Sequence, residues 1–264
     1  MFEDIVIKPV GVVKSDYYLD PKAATDSEEK AVVEVFPQYA DALLRIEKNS
    51  NLWILSWFHL ARRDVLFTVP YRINPNSPLY GVFALRTPVR PNPIALSLVQ
   101  LDKVEGRLLH VTGLDAVNET PVIDIKPYFE NDIVFSPRTP YMQTFKREMM
   151  QNNYFKQALI HHQEECPDLL MAVRMAVIAS EKFGHLNSPD LYVKVEGSPC
   201  LADTIQGLSR ARLANPPRFE CQFTDTCGFT EWRLGSEKLK ITAKQSIGKE
   251  AFWNKSDGEI LDIR

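Results

Sequence analysis

The chain has 264 residues, enough for one large domain or two ordinary ones at ~150 residues per domain. Its 31 basic and 34 acidic side chains leave a net charge of −3, which excludes a wholesale basic coat for nucleic acid but leaves room for local patches. A hydrophobic share of 45% and a charged share of 25% suit a folded globular chain, and four cysteines make no disulfide scaffold.

The opening residues 1–13 put Glu3 and Asp4 before a short apolar run and do not read as a secretory signal. The most apolar helical stretch, 169–180, contains Arg174 and is too short to span a bilayer. These features predict a cytoplasmic chain with no membrane partner. In chain order, short runs rich in β-branched, Leu and aromatic residues fall at 32–36, 52–58, 66–69, 81–85, 96–101, 108–114 and 122–125. Pro, Asn, Asp and Gly separate them, which predicts strands and turns of a closed or nearly closed β structure. Residues 37–46 carry apolar side chains at spacings of three and four and predict one helix within it.

After about Thr139 the texture changes to α+β. A helix is expected to start at Pro140 and Tyr141, and a second to run from Pro167 to a stop at Gly184. A strand over 191–197, a helix over 200–211, a strand over 218–224 and a hairpin over 232–244 follow. The segment 136–140 holds two prolines and no apolar anchor, so it divides the chain into 1–137 and 138–264. The first part holds 15 basic and 18 acidic residues through Arg138, and the rest holds 16 of each, so neither half is a polycation.

Three stretches of the first half carry chemistry. Pro91 and Pro93 fix the backbone on both sides of Asn92, so the loop 86–93 holds Arg86, Arg90 and Asn92 in set directions. Guanidinia in such a loop suit a carboxylate, phosphate or ribose, or the loop is a structural turn with solvated arginines. Period-two alternation puts Val122, Asp124 and Lys126 on one strand face, as an acid/base pair at a cleft or as an ion pair that sets register. His59 follows the apolar run 52–58, where a buried strand emerges.

Together, LWILSWFH (52–59), GVFALRTPVRPNPIALS (81–97) and TGLDAVNETPVIDIKPY (112–128) resemble the TrmO family, also called TsaA-like, over roughly residues 5–135. The resemblance implies a small β-barrel that uses S-adenosylmethionine, acts as a homodimer, and methylates N6 of threonylcarbamoyladenosine at position 37 of tRNA. It implies cofactor contacts at Phe58, His59, Arg86, Leu96, Thr112, Gly113, Leu114 and Asp115, with Arg90 and Asn92 toward the substrate. The loop at 20–26 replaces a Gln-Pro-Gly contact of bacterial members, and Ala95 stands where a Gly usually follows RPNPI. An N6 nitrogen delocalised into a carbonyl needs a base to take its proton, and Asp124 is the candidate, with Lys126 orienting it.

In the second half, HHQEECPD (161–168) and CLADTIQG (200–207) resemble the FmdE-like domains, which carry a metal site near His-Gly-His-x-Cys-Pro-Gly. His162 and Cys166 match the first His and the Cys, Glu164 replaces the second His, and Cys200, Asp203, Ile205 and Gln206 match a second motif. A zinc site of His162, Cys166 and Cys200, with Glu164 as an oxygen donor, is the implied chemistry, against two cysteines buried as small hydrophobes. Alternatively Arg210, Arg212, Arg218, Lys238, Lys240 and Lys244 make this half an RNA-docking appendage, or they line a solvated sheet face. The expectation for the whole is a methyltransferase barrel fused to an α+β domain. Its rivals are methylation of a small molecule or metal-linked metabolite, and S-adenosylmethionine binding without transfer.

Overall fold

The computed structural model describes residues 5–15, 30–137, 139, 141–224 and 228–264. The 20–26 loop, Arg138, Pro140 and Cys227 lie outside the described residues. The chain forms two compact units, one comprising residues up to Pro70 and Pro78–Ile133, the other Tyr71–Ser77 and Val134–Arg264.

In the first unit the strands are β1 (Gly11–Lys14), β2 (Lys30–Val35), β3 (Asn51–Trp57), β4 (Phe67–Thr68), β5 (Tyr80–Gly81), β6 (Ile94–Glu105), β7 (Leu108–Thr112) and β8 (Pro121–Pro127). Six of the described strands close an antiparallel barrel in the order β1-β2-β7-β6-β3-β8, while β4 and β5 pair by themselves. Alternation dictates the inside. Leu52 and Ile54 of β3, Val33 and Val35 of β2, and Leu109 and Val111 of β7 fill it, and their neighbours face out. Register then builds an outer wall: Trp53 lies opposite Leu98, Leu55 opposite Leu96 and Trp57 opposite Ile94. On the other side of β3, Leu55 lies opposite Asp124 and Trp53 opposite Lys126.

Two expected elements of this unit differ. The helix expected at 37–46 is a 3-10 segment, Pro37–Leu43, with no buried residue, and Arg45 ends the path at φ 69°. Tyr39, Leu43 and Ile46 still pack against the barrel core, but only partly buried. The run 81–85 is a 3-10 turn, Val82–Ala84, rather than a strand. Arg90 satisfies the carbonyls of Val82 and Leu85, which removes the need for a strand partner.

The second unit contains α1 (Arg147–His162), α2 (Pro167–Phe183), β9 (Leu191–Gly197), α3 (Pro199–Ser209), β10 (Phe219–Phe223), β11 (Phe229–Leu234), β12 (Glu237–Ala243), α4 (Lys249–Asn254), α5 (Asp257–Ile260) and β13 (Leu261–Ile263). The strands form a mixed sheet in the order β10-β9-β11-β12-β13, with β10 parallel to β9 and the other pairs antiparallel. Helices α2 and α3 pack on the inward face of that sheet. α2 is the central helix, buried from Leu169 through Ser180, with Pro167 in its first turn and Gly184 at its C-cap. Arg174, 4% exposed within it, donates to Asp257 and to the carbonyls of Phe252 and Lys255. α1 begins at Arg147 instead of at 140–141, because the preceding chain is extended: Phe145 N–H donates to the Ile73 carbonyl at 2.9 Å and Asn74 to that of Gln143 at 3.1 Å. Among the described residues no helix is long and apolar enough to cross a membrane.

Candidate functional site

β3, β6 and β8 set a row across the outer barrel wall that runs Asp124, Leu55, Leu96. Asp124 Oδ2 lies 2.7 Å from Lys126 Nζ, and Asp124 Oδ1 accepts from the Ile125 N–H at 2.9 Å. Both side chains are well exposed, so the pair is open to solvent and to a ligand. Leu96 is 48% exposed on the same wall. Ala95 points the other way, into the barrel, so the methyl group that departs from the family pattern stays off the face carrying Leu96.

The remaining barrel candidates lie just after β3, in the loop before β6, and at the end of β7 and the loop that follows it. Phe58 packs against the barrel core and its N–H donates to the Pro93 carbonyl, which ties the end of β3 to the entry of β6. His59, Asn92 and Asp115 are exposed. Arg86 is exposed, with no hydrogen bond or ion pair among the described residues. Arg90 differs: Nε donates to the Thr87 carbonyl at 2.9 Å and Nη2 to the carbonyls of Val82, at 2.8 Å, and Leu85. Among the described residues its Nε and Nη2 are committed and its Nη1 has no partner, and the stiff loop is stapled by its own arginine. Thr112 donates to Asp102 at 2.7 Å, Leu114 is buried, and Gly113 sits at φ 92° beside the Leu98 carbonyl, a conformation that L side chains resist.

Sequence reasoning missed a polar cleft of about 440 Å³ beside this loop, lined by Lys14, Lys30, Asp102, His110 and Asn118 among others. Ser15 fastens its rim to the 113–120 loop, with its N–H on Asn118 Oδ1 at 3.1 Å and its hydroxyl on the Ala116 carbonyl at 3.3 Å. These residues come from β1, β2, β6, β7 and the loop, and no local motif marks them. Only the barrel register shows that they meet.

In the second unit His162, Cys166 and Cys200 present one nitrogen and two sulfurs within 4.8 Å of one another. Three helices converge to place them: the end of α1, the N-cap of α2 and the first turn of α3. Asp203 takes His162 Nδ1 at 2.7 Å and His161 Nε2 at 3.2 Å, so His162 Nε2 faces the thiols, 3.6 Å from Cys166 Sγ. A Cβ on Gly207 would meet the His161 ring at 2.3 Å, so the bare backbone there is what lets the histidine pair dock on α3. Burial, and then the neighbouring Cys166, push the Cys200 thiol above its usual range. An imidazole with Nδ1 committed and Nε2 free, beside two thiols, fits a zinc ion. Glu164 is exposed and stands outside this group.

The proposed RNA-docking residues are dispersed. Arg218 is buried and donates to the carbonyls of Ser188, Leu191 and Arg210, and the Arg210 guanidinium lies over the Phe135 ring. Lys238 and Lys240 share the outward face of β12, where Lys240 covers Phe229, and Lys244 lies one residue beyond the strand, bonded to the Gly258 carbonyl.

Residues 16–132 match the family described as tRNA-methyltransferase O N-terminal domain, and residues 161–260 match FmdE, molybdenum formylmethanofuran dehydrogenase operon. A probable S-adenosyl-L-methionine-binding protein of Methanothermobacter thermautotrophicus is 44% identical over 131 residues, 48% of this chain and 93% of that protein. The chain belongs to this TrmO family. A probable S-adenosyl-L-methionine-binding protein of Archaeoglobus fulgidus is 36% identical over 221 residues, 80% of this chain. The match spans 60% of that relative's length. The human tRNA (adenine(37)-N6)-methyltransferase is 38% identical over 97 residues, 36% of this chain and 21% of that protein.

Proposed function

We propose that the barrel binds S-adenosylmethionine and transfers its methyl group to N6 of adenine 37 in tRNA, with threonylcarbamoyladenosine as the acceptor. The observation that carries this reading is the row Asp124–Leu55–Leu96, which puts a carboxylate and an apolar cofactor candidate on one exposed wall. The names of the relatives support it at both levels, cofactor and acceptor. Phe58, His59, Arg86, Leu96 and the stretch Thr112–Asp115 are assigned to the cofactor. The exposed Arg86 guanidinium, without a partner among the described residues, suits the methionine carboxylate, and the exposed Asp115 suits its amine or the ribose hydroxyls. S-adenosylmethionine supplies an electrophilic methyl on a sulfonium.

Asp124 takes the N6 proton in this scheme, and Lys126 orients the carboxylate and offsets charge on the acceptor. Asn92 and the remaining Nη1 of Arg90 are assigned to the acceptor. The chain is assigned to the cytoplasm, with a functional boundary at 137/138, and to a homodimer in which two copies pool scattered basic residues such as Arg62 and Arg63. The FmdE-like half is assigned a zinc ion on His162, Cys166 and Cys200. Mass spectrometry of tRNA nucleosides from a deletion strain tests the acceptor. Loss of the methylated nucleoside supports the reading, and an unchanged peak rejects it in favour of a small-molecule acceptor.

A further inference from the structure

Charge is not spread evenly along the chain. Residues 49–101 carry five arginines, Arg62, Arg63, Arg72, Arg86 and Arg90, with Asp64 as their single acid, in a chain whose net charge is −3. Arg62 and Arg63 lie exposed in the turn after β3. Arg62 holds Asp64 through Nε at 3.1 Å and Nη2 at 2.8 Å, an exposed pair of little worth that a phosphate can replace. Arg63 Cζ lies 4.9 Å over the Trp57 ring. Trp57 follows Leu55 by two residues on the same face of β3, so this pair stands about 7 Å along the strand from the row Asp124–Leu55–Leu96. The ribbon of β4 and β5 comes next. Phe67 lies opposite Gly81 and Thr68 opposite Tyr80, and the Val82 N–H donates to the Leu66 carbonyl at 3.0 Å. Val82 is buried and Arg90 holds its carbonyl, which fixes the root of the ribbon. The outer side chains are uncovered: Phe67 is 64% exposed and Phe83 82%, with Leu66 and Leu79 exposed beside them. A two-stranded ribbon that buries so little is marginal in water by itself, so its root, not a core, holds these phenyl rings out.

We propose that Arg62, Arg63 and Trp57, with Phe67 and Phe83 of the ribbon, form a docking surface for single-stranded RNA. Unpaired nucleotides beside the acceptor adenine stack on the two phenyl rings, and the two arginines take their phosphates. Every base has a π-face, so such a platform holds a strand without reading its sequence, and selection is left to the row at Asp124. The inference rests on the tRNA reading above and adds where on the barrel the anticodon loop lies. RNA is favoured over a protein partner by the charge: one acid among five arginines matches a phosphate backbone, and exposed aromatic rings beside guanidinia match bases.

The test uses the full chain with a fluorescent RNA hairpin that has the stem and loop of an anticodon arm, and with a blunt duplex of the stem alone, read by anisotropy. The hairpin should bind about tenfold more tightly than the duplex. The double variant Phe67→Ala/Phe83→Ala, with unchanged melting and S-adenosylmethionine affinity, should lose about tenfold or more of the hairpin affinity and leave duplex binding as it was. Arg62→Ala/Arg63→Ala should make the slope of log affinity against log salt shallower by about 1.4, for two phosphates at ~0.7 each. Equal affinity for hairpin and duplex, or wild-type hairpin affinity in the phenylalanine variant, overturns the proposal. Light scattering in which that variant splits a dimer while RNA affinity holds assigns the rings to contacts between copies and overturns it too. Failure of the acceptor reading is distinguishable. Hairpin binding that the variant loses, with no methyl label in tRNA from the wild-type chain, supports the docking surface and removes that reading. Wild-type methylation of tRNA by the variant removes the surface and leaves the reading standing.

Discussion

Asp124 and Lys126 meet at 2.7 Å on the outer wall of the barrel, two residues apart on β8 and opposite Leu55 and Trp53. An ion pair that only fixed register would contribute little there, since exposed pairs are worth about 0–1 kcal/mol. Asp124→Asn should therefore leave the melting temperature nearly unchanged while cutting methyl transfer about a hundredfold or more, with cofactor affinity retained. Single-turnover kinetics beside a thermal melt check this. A wild-type rate would make Asp124 structural.

Arg86→Ala removes an exposed guanidinium with no partner among the described residues, so the fold should not notice. Cofactor binding should weaken by about 1.5–3 kcal/mol, roughly tenfold to a hundredfold, if the group meets the methionine carboxylate. Arg90→Ala should behave differently and destabilise the 82–90 loop, because the carbonyls of Val82, Leu85 and Thr87 lose their donor. Calorimetry and melting of the two variants side by side distinguish ligand arginine from staple.

Asp203→Asn tests the second unit. The amide can still touch His162 Nδ1 but no longer enforces its protonation, so Nε2 is a poorer ligand. Zinc affinity should fall about 10- to 100-fold, read by competition with a chromogenic chelator. Equal affinity would mean that the histidine pair is held for packing alone.

Arg174→Met replaces a buried guanidinium that donates to Asp257 and to the carbonyls of Phe252 and Lys255. The cost should be about 3 kcal/mol, the low end for a broken buried pair, because Arg147 still holds Asp257 at 2.6 Å. Denaturant unfolding that showed no loss would mean α4 and α5 are held by Phe252 and Ile260 burial alone.

Strands β3 and β7 were legible because Leu52 and Ile54, and Leu109 and Val111, repeat at the period of a barrel interior. On β8 a register shift opposite Leu55 and Ser56 breaks the alternation, so Val122 turns into the barrel while Asp124 and Lys126 stay on the outer wall, and the three do not share the face that period two predicts. α2 was legible from Pro167 and Gly184 at its ends and a middle that is apolar apart from Arg174. What local pattern hid was long-range. β1 is four residues long and exists because Gly11–Lys14 finds both β2 and β8. β6 continues to Glu105 through Asp102 and Lys103, charged residues that face outward and look like a turn in the sequence. In the candidate sites, the motif residues were visible, but Arg90's three bonds to its own loop were not. Nor was the bridge from Asp203 to two histidines some forty residues earlier, since both depend on where the chain returns in space.

The most direct measurement incubates the purified chain with isotopically labelled S-adenosylmethionine and tRNA bearing threonylcarbamoyladenosine at position 37, and locates the label by nucleoside mass spectrometry. The account predicts one labelled methyl group on N6 of that nucleoside, abolished by Asp124→Asn and retained in Cys200→Ser. Cofactor bound by the barrel with no label in the tRNA would contradict it.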